Sequence, residues 1–87
     1  MCINKWEILD KICYTDLVYG RINKKLKSQL SMAQIEELLF QVIQKTSADD
    51  FQRIGKNIYV TNAEKGMRIT INRNTFRVIT VDEVMKK

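Results

Sequence analysis

The chain contains no histidine and no proline, and its 87 residues include only three glycines and two cysteines. Without histidine, Ser-His-Asp and Cys-His catalysis, histidine metal sites and the common pH switch are excluded. Cys2 and Cys13 alone cannot build a structural zinc site in one chain without carboxylate ligands. We therefore expect no metal and no cofactor. The absence of histidine makes an enzymatic function less expected, although Glu, Asp, Lys, Tyr and Arg can also catalyse reactions.

Long hydrophobic runs are also absent. No apolar stretch approaches the roughly 18 residues that cross a bilayer, and the first five residues lack the apolar core of a signal peptide. We expect a cytoplasmic protein with no membrane partner. The length predicts a single domain over residues 1–87. Its oligomeric state is open, and a homodimer is one way in which so short a chain would enlarge its core.

The spacing of the apolar residues changes near the middle of the chain. Up to Lys45 they recur at helical spacing, and from Phe51 onward they alternate in short segments. The pattern predicts an α+β fold, with two to three helices in residues 4–46 packed on an antiparallel meander sheet of three to four strands in residues 51–82. The predicted helices cover residues 4–13 and 16–27 and a third segment that begins at Ser31. Ser31 and Gln34 have the spacing of a capping box.

Several helical residues are expected to serve packing. Trp6, Tyr14 and Tyr19 are predicted to lie in the core or between helices, and Cys13 to pack as a small apolar residue. Gly20 falls inside the second helix, where glycine costs roughly 1 kcal/mol relative to alanine. The simplest explanation is the close approach of another element, and a phosphate-approach site is the alternative.

The predicted strands cover residues 51–54, 58–61, 67–72 and 75–81. A two-residue turn at Arg73 and Asn74 would place Ile71 opposite Phe76 and Ile69 opposite Val78. One face of this hairpin would then be apolar. The other face would be cationic and rich in hydrogen-bonding groups.

The net charge is +5, and the basic residues form two blocks without acids, at residues 17–35 and 65–81. Such blocks predict a positive surface that attracts phosphates, and ordinary solvated lysines are the competing interpretation. The candidate binding residues for nucleic acid are Arg21, Lys24, Lys25, Tyr59, Arg68, Arg73 and Arg77. An acidic protein partner is the alternative. A helix-turn-helix is disfavoured, because Glu36 and Glu37 lie near the start of the third helix, where they would repel a DNA backbone.

A histidine-free ribonuclease is a weaker alternative. Small bacterial toxins of this kind also place helices before an antiparallel sheet and cleave RNA with Arg, Lys and Tyr. Here Tyr59, Arg68, Arg73 and Arg77 supply those residue types. The likeness is one of size and topology, without a diagnostic motif.

Three segments carry a family resemblance: 12–26 (ICYTDLVYGRINKKL), 54–62 (IGKNIYVTN) and 68–82 (RITINRNTFRVITVD). Together they resemble a family of short bacterial proteins known only as a domain of unknown function. The resemblance implies a bacterial, cytoplasmic single domain and supplies no activity. It draws attention to a second candidate cluster, Tyr14, Thr15, Gly20 and Asn23, beside Arg21. Their competing role is to form the junctions of the helices.

Overall fold

Three helices precede four strands in the computed structural model, which describes residues 4–84. The helices are α1 (Lys5–Lys11), α2 (Asp16–Leu26) and α3 (Met32–Lys45). A single 3-10 turn, Ala48–Asp50, leads into the strands β1 (Phe51–Ile54), β2 (Asn57–Asn62), β3 (Met67–Asn72) and β4 (Val78–Glu83). The α+β fold predicted from the sequence is confirmed, with three helices and four strands. No helix in the described part is long and apolar enough to cross a membrane.

The helix ends follow local sequence signals. The Asn4 side chain accepts hydrogen bonds from the backbone N–H groups of Trp6 and Glu7, which caps α1. Ser31 and Gln34 form the predicted capping box at α3, with bonds of 3.2 and 2.8 Å. Thr15 occupies the N-cap of α2, but its side chain makes no capping bond.

The strands form one antiparallel meander in the order β1-β2-β3-β4. A two-residue turn joins β1 to β2, and Gly55 opens it with a φ of 60°, a conformation that glycine adopts without strain. In β2, buried residues alternate with half-buried ones, as expected for a sheet covered on one face.

The predicted register of the β3–β4 hairpin is wrong. Ile71 lies opposite Val78 and Ile69 opposite Val81, and the register shifts between Thr70 and Ile71. The turn is longer than predicted, because Asn72 N–H donates to the Arg77 carbonyl and closes a loop of four residues. Phe76 stands in this loop with a positive φ of 58° rather than in the strand.

The core lies between the helices and one face of the sheet. Its buried apolar residues come from every helix and strand: Ile8, Val18, Ile22, Ile35, Leu39, Val42, Ile43, Phe51, Ile58, Val60, Met67, Ile69, Ile71, Val78 and Val81. The apolar stripe of α3 accounts for four of them. On α1 the buried residue is Ile8, and the half-buried Leu9 packs against the same core.

Two packing predictions are wrong. Trp6 is 61% exposed, because α1 turns Ile8 inward and leaves Trp6 on its outer side. Cys13 is exposed as well and does not fill the core. It lies after the end of α1, where its Sγ is 3.5 Å from the Thr75 carbonyl oxygen.

Candidate functional site

Helix α2 lies along β4 and places its basic side chains at the outer edge of this strand. Val18 and Ile22 are buried on the inner side of α2. On the outer side, Arg21 Nη1 donates to the Ile79 carbonyl at 3.2 Å, and Lys25 Nζ lies 3.1 Å from Asp82 Oδ1. These two contacts show that α2 and β4 run in the same direction.

The contact at Asp82 joins the two basic blocks of the sequence. Asp82 pairs with Lys25, and its backbone lies directly opposite Arg68 on β3. Arg68 Nε donates to Thr61 Oγ1 at 3.2 Å, which directs the Arg68 side chain toward β2, on the side of β3 opposite to β4. The helical half and the sheet half therefore meet at Asp82, while Arg68 lies one strand further into the sheet.

Arg77 adds to this edge at the start of β4. It forms a parallel bridge with Cys13, in which Cys13 N–H donates to the Phe76 carbonyl and Val78 N–H donates to the Cys13 carbonyl, both at 2.9 Å. The Arg77 side chain is exposed. We call the exposed basic residues of α2, together with Arg77 beside β4 and Arg68 on the adjacent strand β3, the basic strip, which consists of Arg21, Lys24, Lys25, Arg68 and Arg77.

Two of the predicted binding residues lie outside the basic strip. Arg73 is exposed in the β3–β4 turn, where its N–H donates to the Lys56 carbonyl at 2.9 Å. It is five residues from Arg68 along β3, roughly 17 Å at strand spacing. Tyr59 is half-buried on β2, opposite Thr70. The predicted set therefore divides between the β4 edge, the open face of the sheet and the turn.

The second candidate cluster is not gathered into one site. Tyr14 stacks on Tyr19 with ring centroids 5.5 Å apart, and Tyr19 Oη donates to Glu36 Oε2 at 2.9 Å. Asn23 bonds instead to Ser28 and to the backbone of Leu30, and so holds the turn between α2 and α3. Tyr14 and Asn23 thus serve two different junctions.

Both tyrosines of the stacked pair resist ionisation. Burial raises the pKa of Tyr14, and the negative charge of Glu36 adds to the effect. The pKa of Tyr19 is also raised, by desolvation and by its hydrogen bond to Glu36. Sequence reasoning did not connect Glu36 with these rings. Seventeen residues separate it from Tyr19, and no local pattern shows such a contact.

The surroundings of Gly20 correct another expectation. No element approaches it closely, since a Cβ built at Gly20 would meet no atom within 4 Å among its non-local neighbours. Gly20 is exposed and lines a shallow depression with Arg21, Lys24 and Lys25. The missing side chain at Gly20 therefore leaves a depression in the surface of α2, and the basic side chains of the helix surround it.

These features define a small α+β domain whose helical layer covers one face of a meander sheet and whose basic side chains line the β4 edge. The chain belongs to the family described as Protein of unknown function (DUF3781), whose model matches residues 6–82. Neither the curated proteins nor the solved structures contain a match to this chain. Within the described residues, no three Cys, Asp or Glu side chains are grouped to hold a metal ion.

Proposed function

We propose that this domain binds nucleic acid without catalysis, through the basic strip. The observation that carries the proposal is the packing of α2 along β4, which brings Arg21 and Lys25 beside the strand that pairs with Arg68. Basic groups aligned along one edge suit the regular negative charge of a phosphate backbone. The contacts from Arg21 and Lys25 to β4 hold part of this surface in place before a ligand arrives.

The proposal favours single-stranded nucleic acid over a duplex. The strip borders the open face of the sheet, where Tyr59 is half-buried opposite Thr70. A single strand that follows the strip would bring a base within reach of this aromatic ring, and base stacking needs no sequence-specific contact. The α2 face is short, and its neighbour α3 carries the exposed acids Glu36 and Glu37, which would repel the backbone of a duplex.

The first experiment is a fluorescence-anisotropy titration with labelled single-stranded RNA, single-stranded DNA and duplex DNA at several salt concentrations. We expect the single strands to bind at micromolar concentrations or below. The variant Arg68→Gln with Arg77→Gln should reduce the slope of log affinity against log salt by roughly 1.4, since each phosphate contact on a single strand contributes about 0.7. Glutamine avoids placing a second acid opposite Asp82.

The matched control is Lys45→Gln with Arg53→Gln, which removes the same charge from exposed positions on α3 and β1, away from β4. If both double variants bind equally, the strip is not the binding surface. If the wild-type protein binds none of the three nucleic acids, the proposal is wrong. Polyglutamate that competes as well as RNA would instead favour an acidic protein partner. The same samples, run on a gel, would reveal any cleavage of the RNA.

We further propose that the domain works in the cytoplasm of a bacterial cell. The family resemblance in its sequence supports the bacterial source, and nucleic acid as the partner supports the compartment. The exposed thiol of Cys13 suits a reducing environment. Fractionation of cells that carry the tagged protein tests this, and recovery from the extracytoplasmic fraction would contradict it.

A further inference from the structure

Nothing in the described part of the chain requires a glycine at position 20. It is the fifth of the eleven residues of α2, and glycine at such a position costs about 1 kcal/mol relative to alanine. Its φ is not among the positive values, so the backbone does not require glycine. The space above it is open, so close packing does not require glycine either.

The side chains around Gly20 form a notch with a cationic rim. Lys24 lies four residues after Gly20, and Lys25 four residues after Arg21, so the four residues occupy two adjacent columns on one helix face. The floor is bare helix backbone, and Arg21, Lys24 and Lys25 form the wall. We call this depression the Gly20 notch.

Two of the three cations are held in position. Arg21 is bound to the Ile79 carbonyl at 3.2 Å and Lys25 to Asp82 at 3.1 Å. Lys24 is exposed and forms no ion pair with any described residue. An anion in the notch would therefore meet Arg21, which a neutral carbonyl holds, Lys25, whose charge Asp82 partly offsets, and Lys24, which is available to turn toward it. Fixed groups lose less conformational freedom when a ligand binds.

We propose that the Gly20 notch seats one phosphate group. The proposal rests on the function proposed above, in which this group is a phosphodiester of single-stranded nucleic acid. The missing side chain lets phosphate oxygens approach the helix more closely than a Cβ would allow, and the three cations offset the negative charge. A second copy of α2 is a poor occupant, since a two-fold interface there would bring two sets of the same cations together.

The decisive variants are Gly20→Ala and Gly20→Leu, which fill the notch without changing the net charge. Any loss of binding then reflects blocked access rather than a weaker field. We expect Gly20→Leu to lower the affinity for single-stranded RNA roughly tenfold and to reduce the salt slope by about 0.7, the contribution of one phosphate. Gly20→Ala should have a smaller effect in the same direction. Both variants should melt at higher temperature than the wild type, because alanine and leucine favour the helix.

A matched control is Gln41→Leu, which places the same side chain on an exposed position inside α3. It should leave RNA binding unchanged. Backbone amide shifts in 15N-labelled protein, followed during titration with RNA and separately with inorganic pyrophosphate, locate the phosphate. Saturable shifts at Gly20 and Lys24 that disappear in Gly20→Leu would support the notch.

The two proposals fail in different ways. RNA binding with shifts elsewhere, or full RNA affinity in Gly20→Leu, would overturn the notch and leave the proposed function standing. Pyrophosphate shifts at Gly20 without RNA binding would support the notch and contradict nucleic acid as its source. No response to either probe would overturn both. A wild-type dimer that Gly20→Leu dissociates, without phosphate shifts, would assign the glycine to helix packing and overturn the notch.

Discussion

The Tyr14 hydroxyl is a buried polar group that hydrogen-bonds to none of the described residues. Its ring is well placed, since it stacks on Tyr19 at the junction of α1 and α2. The hydroxyl therefore loses contact with water without a compensating bond, which opposes folding. The same burial, together with Glu36, raises the pKa of Tyr14 above the ordinary tyrosine value of 10.0.

This residue gives a prediction for Tyr14→Phe. At pH 7 the variant should be about 1 kcal/mol more stable than the wild type, because it removes the unpaired hydroxyl and keeps the ring. In the wild type, the folded state retains the Tyr14 proton above pH 10, whereas the unfolded chain releases it. The contribution of the Tyr14 proton to the free energy of unfolding is therefore fully present below about pH 10. It declines as the pH rises further.

Urea denaturation between pH 7 and pH 11 measures this difference. We expect the alkaline loss of stability to be smaller in Tyr14→Phe than in the wild type. Tyr19→Phe should also reduce it, because the pKa of Tyr19 is raised too, but this variant gives up the bond to Glu36. Parallel stability curves for Tyr14→Phe and the wild type would contradict the assignment.

Among the elements, the turn between α2 and α3 depends on one side chain. Asn23 Nδ2 donates to the Leu30 carbonyl, and its Oδ1 accepts from Ser28 Oγ and from Leu30 N–H, all at 2.9–3.0 Å. These bonds fold the chain back after α2, where Lys27 adopts a left-handed φ of 54°. They also set the start of α3, whose capping box begins one residue after Leu30.

We predict that Asn23→Ala lowers the free energy of unfolding by about 2 kcal/mol, since three part-buried hydrogen bonds are lost. Asn23→Asp should have a smaller effect, because its carboxylate can still accept both bonds at Oδ1. Gln29→Ala is the control, an exposed change in the same turn. Urea denaturation compares the three variants. Equal stability of Asn23→Ala and Gln29→Ala would show that Asn23 does not organise the turn.

Whether a helix or hairpin could be predicted depends on whether the residues that determine it are close together in the sequence. The start of α3 follows from Ser31 and Gln34, which are local, and the structure has it as predicted. The β3–β4 hairpin depends on non-local contacts. Phe76 takes a positive φ, which is rare for a bulky residue, while its N–H bonds to Asn72 and its carbonyl bonds to Cys13. Only the folded chain shows that Cys13 reaches this loop.

On the scale of the whole molecule, the same limit applies to the basic strip. The sequence shows two blocks of positive charge, but not that β4 brings an acid within reach of Lys25 and opposite Arg68. That acid is Asp82, which lies within β4. The position of Gly20 could be predicted, but its open surroundings could not.

Asp82 is the acid inside the basic strip, and this makes its removal informative. We predict that Asp82→Asn binds single-stranded RNA roughly fivefold more tightly at low salt, because a unit charge about 4 Å from another contributes about 1 kcal/mol in water. The gain should fade as salt screens the charges. Stability should change little, since the ion pair with Lys25 is half-exposed.

Anisotropy titrations at two salt concentrations measure this gain. Asp49→Asn, an equal change of charge on the exposed 3-10 turn before β1, is the control and should bind like the wild type. Weaker binding by Asp82→Asn would mean that Asp82 orients Lys25 rather than opposing the ligand. Equal gains in both variants would indicate a response to net charge alone.

The pairing of Cys13 with Arg77 has a consequence for synthesis of the chain. Among the described elements, β4 leaves the ribosome last, yet it is the strand along which α2 packs. Until β4 emerges, Val18 and Ile22 lack the strand beside which they are buried. Their apolar side chains therefore remain exposed to solvent in the nascent chain. Completion of the fold should therefore wait for the synthesis of β4, and a chain cut short before β4 should be a substrate for chaperones and proteases.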